Sequence, residues 1–290
     1  MMEPVPSLVS SDWLEARLGT PGLAVLDASY HLPAAARDAA SEFAAAHIPR
    51  ARFLGLASLF DAESNVPYAM PAPAQLAERL ASLGIAPDDA IILYDDSAIR
   101  TAARAWFVLA ALGRHNVAIL DGGFGKWRSE GRALEAGAPA TARAAPATLA
   151  PAQRVRSKAD MLANLDSHAE QVLDARSVDR VYGSGIDPVH GGPNGRIPGA
   201  LNLPFTEVLN ADDTYKSPDA LSAAFTAAGI DLARPITTTC GSGVTASVLL
   251  FALHLIGVET AALYDGSWSE WSADPATPKA QGFEQEGPEA

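Results

Sequence analysis

The sequence predicts an α/β protein of two tandem domains, each a parallel sheet with helices on both faces. Two observations carry this. The chain repeats itself at a domain-sized spacing, and within each repeat short apolar runs alternate with longer helical patterns. Composition sets the scale: 290 residues, 48% hydrophobic and 19% charged, suffice to bury two ordinary cores.

The repeat rests on three blocks in the same order. Val25-Leu26-Asp27-Ala28-Ser29 returns as Val172-Leu173-Asp174-Ala175-Arg176, and His47-Ile48-Pro49 as Arg196-Ile197-Pro198. Leu120-Asp121-Gly122-Gly123-Phe124-Gly125-Lys126-Trp127 returns as Tyr264-Asp265-Gly266-Ser267-Trp268-Ser269-Glu270-Trp271. The separations of 147, 149 and 144 residues lie far beyond solenoid periods, so a whole domain is duplicated. Residues 1–135 form the first domain, 136–152 an Ala/Pro-rich semi-extended linker, and 153–276 the second domain. Residues 277–290 read as an acidic tail, loosely held from Gln281 onward.

Taken in order, Ala24 to Asp27, Ala90 to Tyr94 and Val117 to Leu120 read as buried strands, and Pro73 to Leu80 and Thr101 to Leu112 as helices. In the second half the strands are Gln171 to Asp174, Pro235 to Thr239 and Ala262 to Tyr264, with helices over Pro218 to Ala228 and Val244 to Ile256. Strands apolar on both sides of the pleat belong to parallel sheets covered on both faces. Such sheets bind ligands at the carboxyl ends of their strands, which points to the residues after Tyr94 and after Thr239.

The formal net charge of −13 disfavours nucleic acid and anionic membrane as general partners. No apolar run reaches 18 residues, and the start, Met1-Met2-Glu3-Pro4, lacks the pattern of a signal peptide, so a cytoplasmic protein is expected. One cysteine excludes an internal disulfide and a thiolate zinc site.

That cysteine stands directly after the Thr239 strand, in Cys240-Gly241-Ser242-Gly243-Val244-Thr245. Gly241 and Gly243 permit backbone conformations closed to other residues, so successive amides can turn inward as an anion-binding nest. A helix starting near Val244 adds its positive end. A cysteine in such a loop is expected to react as a thiolate, and the same cradle suits a persulfide anion. Ser242 and Thr245 add hydroxyl donors, with Thr245 expected to cap the helix. In the first half the same slot holds Asp95, so one copy is active and the other silent. The competing reading, a buried inert cysteine, is common for free thiols but does not account for the glycines and the strand-end position. A cysteine phosphatase would need an arginine six residues on, where Ala246 stands.

The Cys240–Thr245 loop, together with Tyr264 to Trp271, resembles the tandem-domain rhodanese superfamily, and the Cys-Gly-Ser-Gly-Val-Thr form is similar to its 3-mercaptopyruvate sulfurtransferases. The resemblance runs from about Leu8 to about Trp271. It implies a silent first domain, a catalytic second one and a Cys240 nucleophile, with Gly241, Ser242, Gly243, Val244 and Thr245 around the substrate. It implies sulfur transfer from 3-mercaptopyruvate through a Cys240 persulfide to cyanide or a thiol such as reduced thioredoxin, without metal or organic cofactor. Thiosulfate as donor, and a persulfide carrier with little turnover, are the alternatives. A monomer suffices, since the duplicated fold supplies its own cleft.

Arg180 matches a substrate-anion arginine of the family and suits a carboxylate; a surface ion pair is the alternative. Arg176 is a weaker candidate. The chain also departs from the family. The second arginine slot falls at Val189, with His190 beside it as a partial replacement charge or a solvated loop residue. The family's aspartate and histidine that assist Ser242 fall near Ala57 and Ala69, so no relay is supported. Arg196 and Arg50 replace a histidine and a glycine of the family. The Asp187 to Gly192 loop is the expected specificity-altering segment.

Presence in both copies marks Asp27, Asp174, Trp127 and Trp271, and with them Trp268, as structural. Asp265 is expected to bind backbone at its own turn, His254 to sit in the core or an interface, and Arg104 to tie the domains together.

Overall fold

A computed structural model describes residues 4–139 and 141–283; the start of the chain and the tail beyond Phe283 lie outside the described residues. Each half is a five-stranded, all-parallel sheet. The first contains β1 (Leu8–Val9), β2 (Leu23–Asp27), β3 (Arg52–Phe53), β4 (Ala90–Tyr94) and β5 (Val117–Leu120), in the order β1-β5-β4-β2-β3. The second contains β6 (Val155–Arg156), β7 (Gln171–Asp174), β8 (Leu201–Asn202), β9 (Ile236–Thr239) and β10 (Ala262–Tyr264), in the order β6-β10-β9-β7-β8. The topologies are identical, and β4 and β9 are the central strands. All six strands read from the sequence are present. The four edge strands were not legible, because two residues carry no periodicity.

Both faces of each sheet are buried, as an apolar strand without alternation requires. In β4, Ile91 and Leu93 enter one core with Leu26, Leu76 and Trp106, while Ile92 and Tyr94 enter a second with Val25, Phe43 and Trp127. Tyr264, Trp268 and Trp271 form the outer core of the second half. The inner core is shared between the domains. The helices Thr101–Ala111 and Ala246–Leu255 pack against each other there, with Trp106 edge-on to Phe251 at 4.8 Å. The second helix is apolar and buried nearly all round, the pattern of a helix with no solvent face.

Two expectations need correction. The helix after the cysteine begins at Ala246, not near Val244; Thr245 occupies the cap position in helical conformation and its side chain makes no capping bond. The segment taken as the start of a tail is tied down as far as Phe283. Ala280 exchanges two backbone bonds with Arg196, Gly282 donates to the Tyr182 carbonyl, and Phe283 stacks on Tyr182. The linker is extended, as read, but it is pinned to the first domain: Ala144 and Ala150 donate to the carbonyls of Ala81 and Leu112, and Gln153, just beyond it, to that of Ala111. Among the described residues, no helix is long and apolar enough to cross a membrane.

Candidate active site

The loops after β4 and β9 are true structural counterparts. The Asp95 carbonyl accepts the Phe124 amide at 2.9 Å, and the Cys240 carbonyl accepts the Trp268 amide at the same distance. What they hold differs. The Asp95 carboxylate accepts the amides of Ser97 at 2.8 Å and Ala102 at 2.7 Å, while its burial pushes its pKa up. In the second loop, among the described residues, the amides of Gly241 through Thr245 find no protein acceptor. The first domain has filled its anion slot with its own side chain, and the second has left its donors unspent.

Cys240 is 1% exposed, yet it lines a cavity of about 160 Å³ with Gly241, Ser242, Val244 and Thr245. Larger clefts of about 490 and 280 Å³ lie at the opposite, amino-terminal ends of β2 and β7. They recur in both copies and contain no cysteine, so chemistry favours the smaller one. Gly243 adopts φ +77°, a conformation costly for any other residue. Gly241 does not; it is required for space instead, since a Cβ there would stand 2.0 Å from His190 Nε2 and 3.1 Å from Arg180 Nη2.

Those two contacts put Arg180 and His190 beside the cysteine loop. Arg180 is not a surface ion pair. Its Nε and Nη2 donate to the fully buried Asp187 at 2.8–3.0 Å, and its Nη1 makes no bond among the described residues. Burial works against the Asp187 charge, but the Arg180 bonds and the Val189 amide outweigh it and hold the carboxyl below its ordinary range. The same carboxylate also accepts the His190 amide at 3.3 Å, so one residue fixes both the guanidinium and the loop. The sequence reading missed Asp187 in this role. Its signal is an aspartate followed by Pro-Val-His, an Asx turn at the head of the segment singled out for specificity.

His190 lines the cavity rather than standing in solvent, and it does not replace the missing arginine's charge. Burial first, then the Arg180 charge, lower its pKa, so it is neutral at neutral pH. Val189 stands at the cavity with 41% exposure. Arg176 touches the cavity but is spent on structure: it is fully buried, donates to Asp174 and to the Gly195 carbonyl, and lies 4.8 Å above the Trp268 ring. Asp174 and Asp27 also accept the amides of Arg176 and Ser29, the same turn in each copy.

The remaining candidates fall into place around the site. Arg104 ties the domains together, from the first-domain helix to Asp265 at 2.7 Å. Asp265 therefore reaches across to the other half, where it also accepts the Met70 amide, and does not bind its own turn. His254 is an interface residue, 2.7 Å from Ser7 Oγ and packed on Trp106. Ala57 is exposed and Ala69 buried, and neither can carry a proton to Ser242. Arg196 is buried over the Tyr182 ring, and Arg50 lies against Gly19, away from the cysteine. Leu32, Ile99 and Phe205, which no motif marks, also line the cavity.

The fold has relatives among known proteins. The rhodanese-like domain model matches residues 10–130 and 157–274. The chain is 37% identical over 272 residues to the 3-mercaptopyruvate sulfurtransferase of Rattus norvegicus, covering 91% of each. It is 36% identical to the thiosulfate sulfurtransferase of Gallus gallus, over 91% of this chain and 93% of that one. The crystal structure of SseA from Escherichia coli, described as a 3-mercaptopyruvate sulfotransferase, superposes with a TM-score of 0.83 at 34% identity. That match covers 92% of this chain and 100% of the other.

Proposed function

The chain belongs to the rhodanese family, both halves matching its domain, and we propose that it takes the sulfhydryl sulfur of 3-mercaptopyruvate onto Cys240 as sulfane sulfur and passes it to a thiol or to cyanide. The observation that carries this is the contrast between the two loops: a carboxylate on its amides in one, a cysteine with unspent amides in the other. The Cys240 thiolate attacks the donor's sulfhydryl sulfur. The S–S bond forms, the C–S bond breaks with its electron pair going to carbon, and that carbon takes up the sulfhydryl proton. Pyruvate leaves, and a persulfide anion remains beside the free amides. Attack by an acceptor thiol on the outer sulfur returns the Cys240 thiolate.

Charge favours the keto acid over thiosulfate. Arg180 is already paired with Asp187, and His190 is neutral, so the cavity suits one carboxylate better than a dianion. Arg180, through its unbonded Nη1, is the residue for that carboxylate, with Gly241 to Thr245 receiving the transferred sulfur. A reduced dithiol protein such as thioredoxin fits as acceptor, which agrees with a cytoplasmic setting. One chain supplies every wall of the cavity, which suits a monomer.

The test is pyruvate and sulfide release from 3-mercaptopyruvate with a thiol reductant, beside thiosulfate–cyanide transfer, with Cys240→Ser as control. Turnover of 3-mercaptopyruvate that vanishes in the control is expected. Turnover of thiosulfate alone would overturn the charge argument. Sulfur loading of Cys240 without turnover of either donor would mean a carrier.

A further inference from the structure

The cavity beside Cys240 has a second character that 3-mercaptopyruvate does not use. Besides Ala175, Arg176, Ser177, Arg180, His190 and the cysteine loop, its lining is Leu32, Ile99, Val189 and Phe205, with Val244 from the loop itself. Leu32 and Ile99 belong to the first domain. Leu32 precedes the turn Pro33–Ala35, and Ile99 lies in the silent loop after β4. Phe205 opens the turn Phe205–Val208 of the second domain. These side chains come from separate loops, so no single element's packing needs explain their convergence. All but Val244 keep part of their surface open. 3-Mercaptopyruvate carries a single methylene between its polar groups and leaves that apolar surface wetted. Apolar surface lining a concave site is matched by apolar surface on the ligand.

Resting on the sulfurtransferase reading above, we propose that the preferred donor is a 3-mercapto-2-oxo acid bearing a short alkyl group on C3, seated against Leu32, Ile99 and Phe205. The silent domain thereby acts in specificity: its own loop has lost the nucleophile, but its Ile99 side chain forms part of the other domain's site. The cavity is small, about 160 Å³, so only a short alkyl group is proposed and no added ring. The chemistry is unchanged and balanced. The S–S bond forms, the C3–S bond breaks with its pair going to C3, and C3 takes the sulfhydryl proton. The alkylated 2-oxo acid leaves, and no oxidant or reductant is consumed.

The test compares kcat/KM for 3-mercaptopyruvate and racemic 3-mercapto-2-oxopentanoate, with dithiothreitol as acceptor, by release of the 2-oxo acid. Roughly fourfold per buried methylene, over the two added carbons, predicts about a sixteenfold preference for the homologue. In Leu32→Asn and Ile99→Asn the ratio of the two kcat/KM values is expected to fall at least threefold. Turnover of 3-mercaptopyruvate with the homologue disfavoured, or a ratio unchanged in both variants, overturns this proposal and leaves the sulfurtransferase reading standing. Silence with both donors overturns that reading, and this proposal with it.

Discussion

Asp121 and Asp265 make the same bond in opposite directions across the domain interface. Asp121 Oδ1 accepts the Tyr215 amide of the second domain at 2.8 Å, and Asp265 Oδ2 accepts the Met70 amide of the first at 2.8 Å. The partners Met70 and Tyr215 are themselves equivalent positions in the repeat, so the exchange is a pseudo-twofold contact between copies. It is broken in one respect. Asp265 also receives Arg104, fully buried and bonded to the Tyr68 carbonyl as well, whereas the repeat counterpart of Arg104 is the apolar Leu249. Arg104 is thus a fully buried cation at the interface, directly under the cysteine loop, 3.1 Å from where a Cβ on Gly243 would stand.

Arg104→Leu is expected to cost about 3 kcal/mol, because it strips the partner from a largely buried carboxylate. Adding Asp265→Asn to that variant should recover part of the loss. Urea unfolding of the single and double variants checks this, and equal losses in both would show that the ion pair is not the cause.

Gly241→Ala keeps an ordinary backbone but puts a methyl where His190 Nε2 stands. The histidine loop must move away from the cysteine. A fall in kcat/KM of at least tenfold is expected, with the melting temperature within a few degrees of the wild type. An unchanged rate would mean that the His190 position is immaterial to transfer.

Arg180→Lys retains a charge and loses the forked geometry, while Arg180→Ala loses both. KM for 3-mercaptopyruvate should rise in both variants, about tenfold or more in the alanine form, with kcat less affected. The pair also has a pH signature. Asp187 is held below its ordinary pKa of 3.8, so it stabilises the fold above that value and the contribution is lost as pH falls below it. Without Arg180 the Asp187 carboxyl titrates higher, and acid unfolding should begin at a higher pH.

Asp27 has the opposite sign. Burial, only partly offset by the Ser29 bonds, raises its pKa from 3.8 to about 6. A raised carboxyl favours the fold below pH 3.8, and that contribution disappears as pH rises through about 6. Asp27→Asn keeps an oxygen for the Ser29 amide and removes the charge. At pH 8 it should be more stable than the wild type by on the order of 2 kcal/mol, with a flatter stability profile between pH 4 and 7. Melting temperatures across that range decide it.

The amino-acid sequence alone determined the duplication, the six long strands and the placing of Cys240 at the end of a strand. Those are one-dimensional properties: block spacing, apolar runs and glycines beside a cysteine survive without coordinates. It also marked Asp95 as the silent counterpart, since the repeat supplies its own alignment. Only the tertiary structure decided what surrounds the cysteine. Arg180 and Asp187 meet because a short helix ends and a loop folds back between them, while Leu32 and Ile99 arrive from the other domain, more than a hundred residues away in the chain. His190 was legible as a neighbour of the missing arginine, but its neutrality depends on burial, which no residue type announces. Local spacing specifies strands and loops because their bonds are local; the cavity's charge and its apolar wall are sums over distant side chains, and those exist only once the two domains have packed.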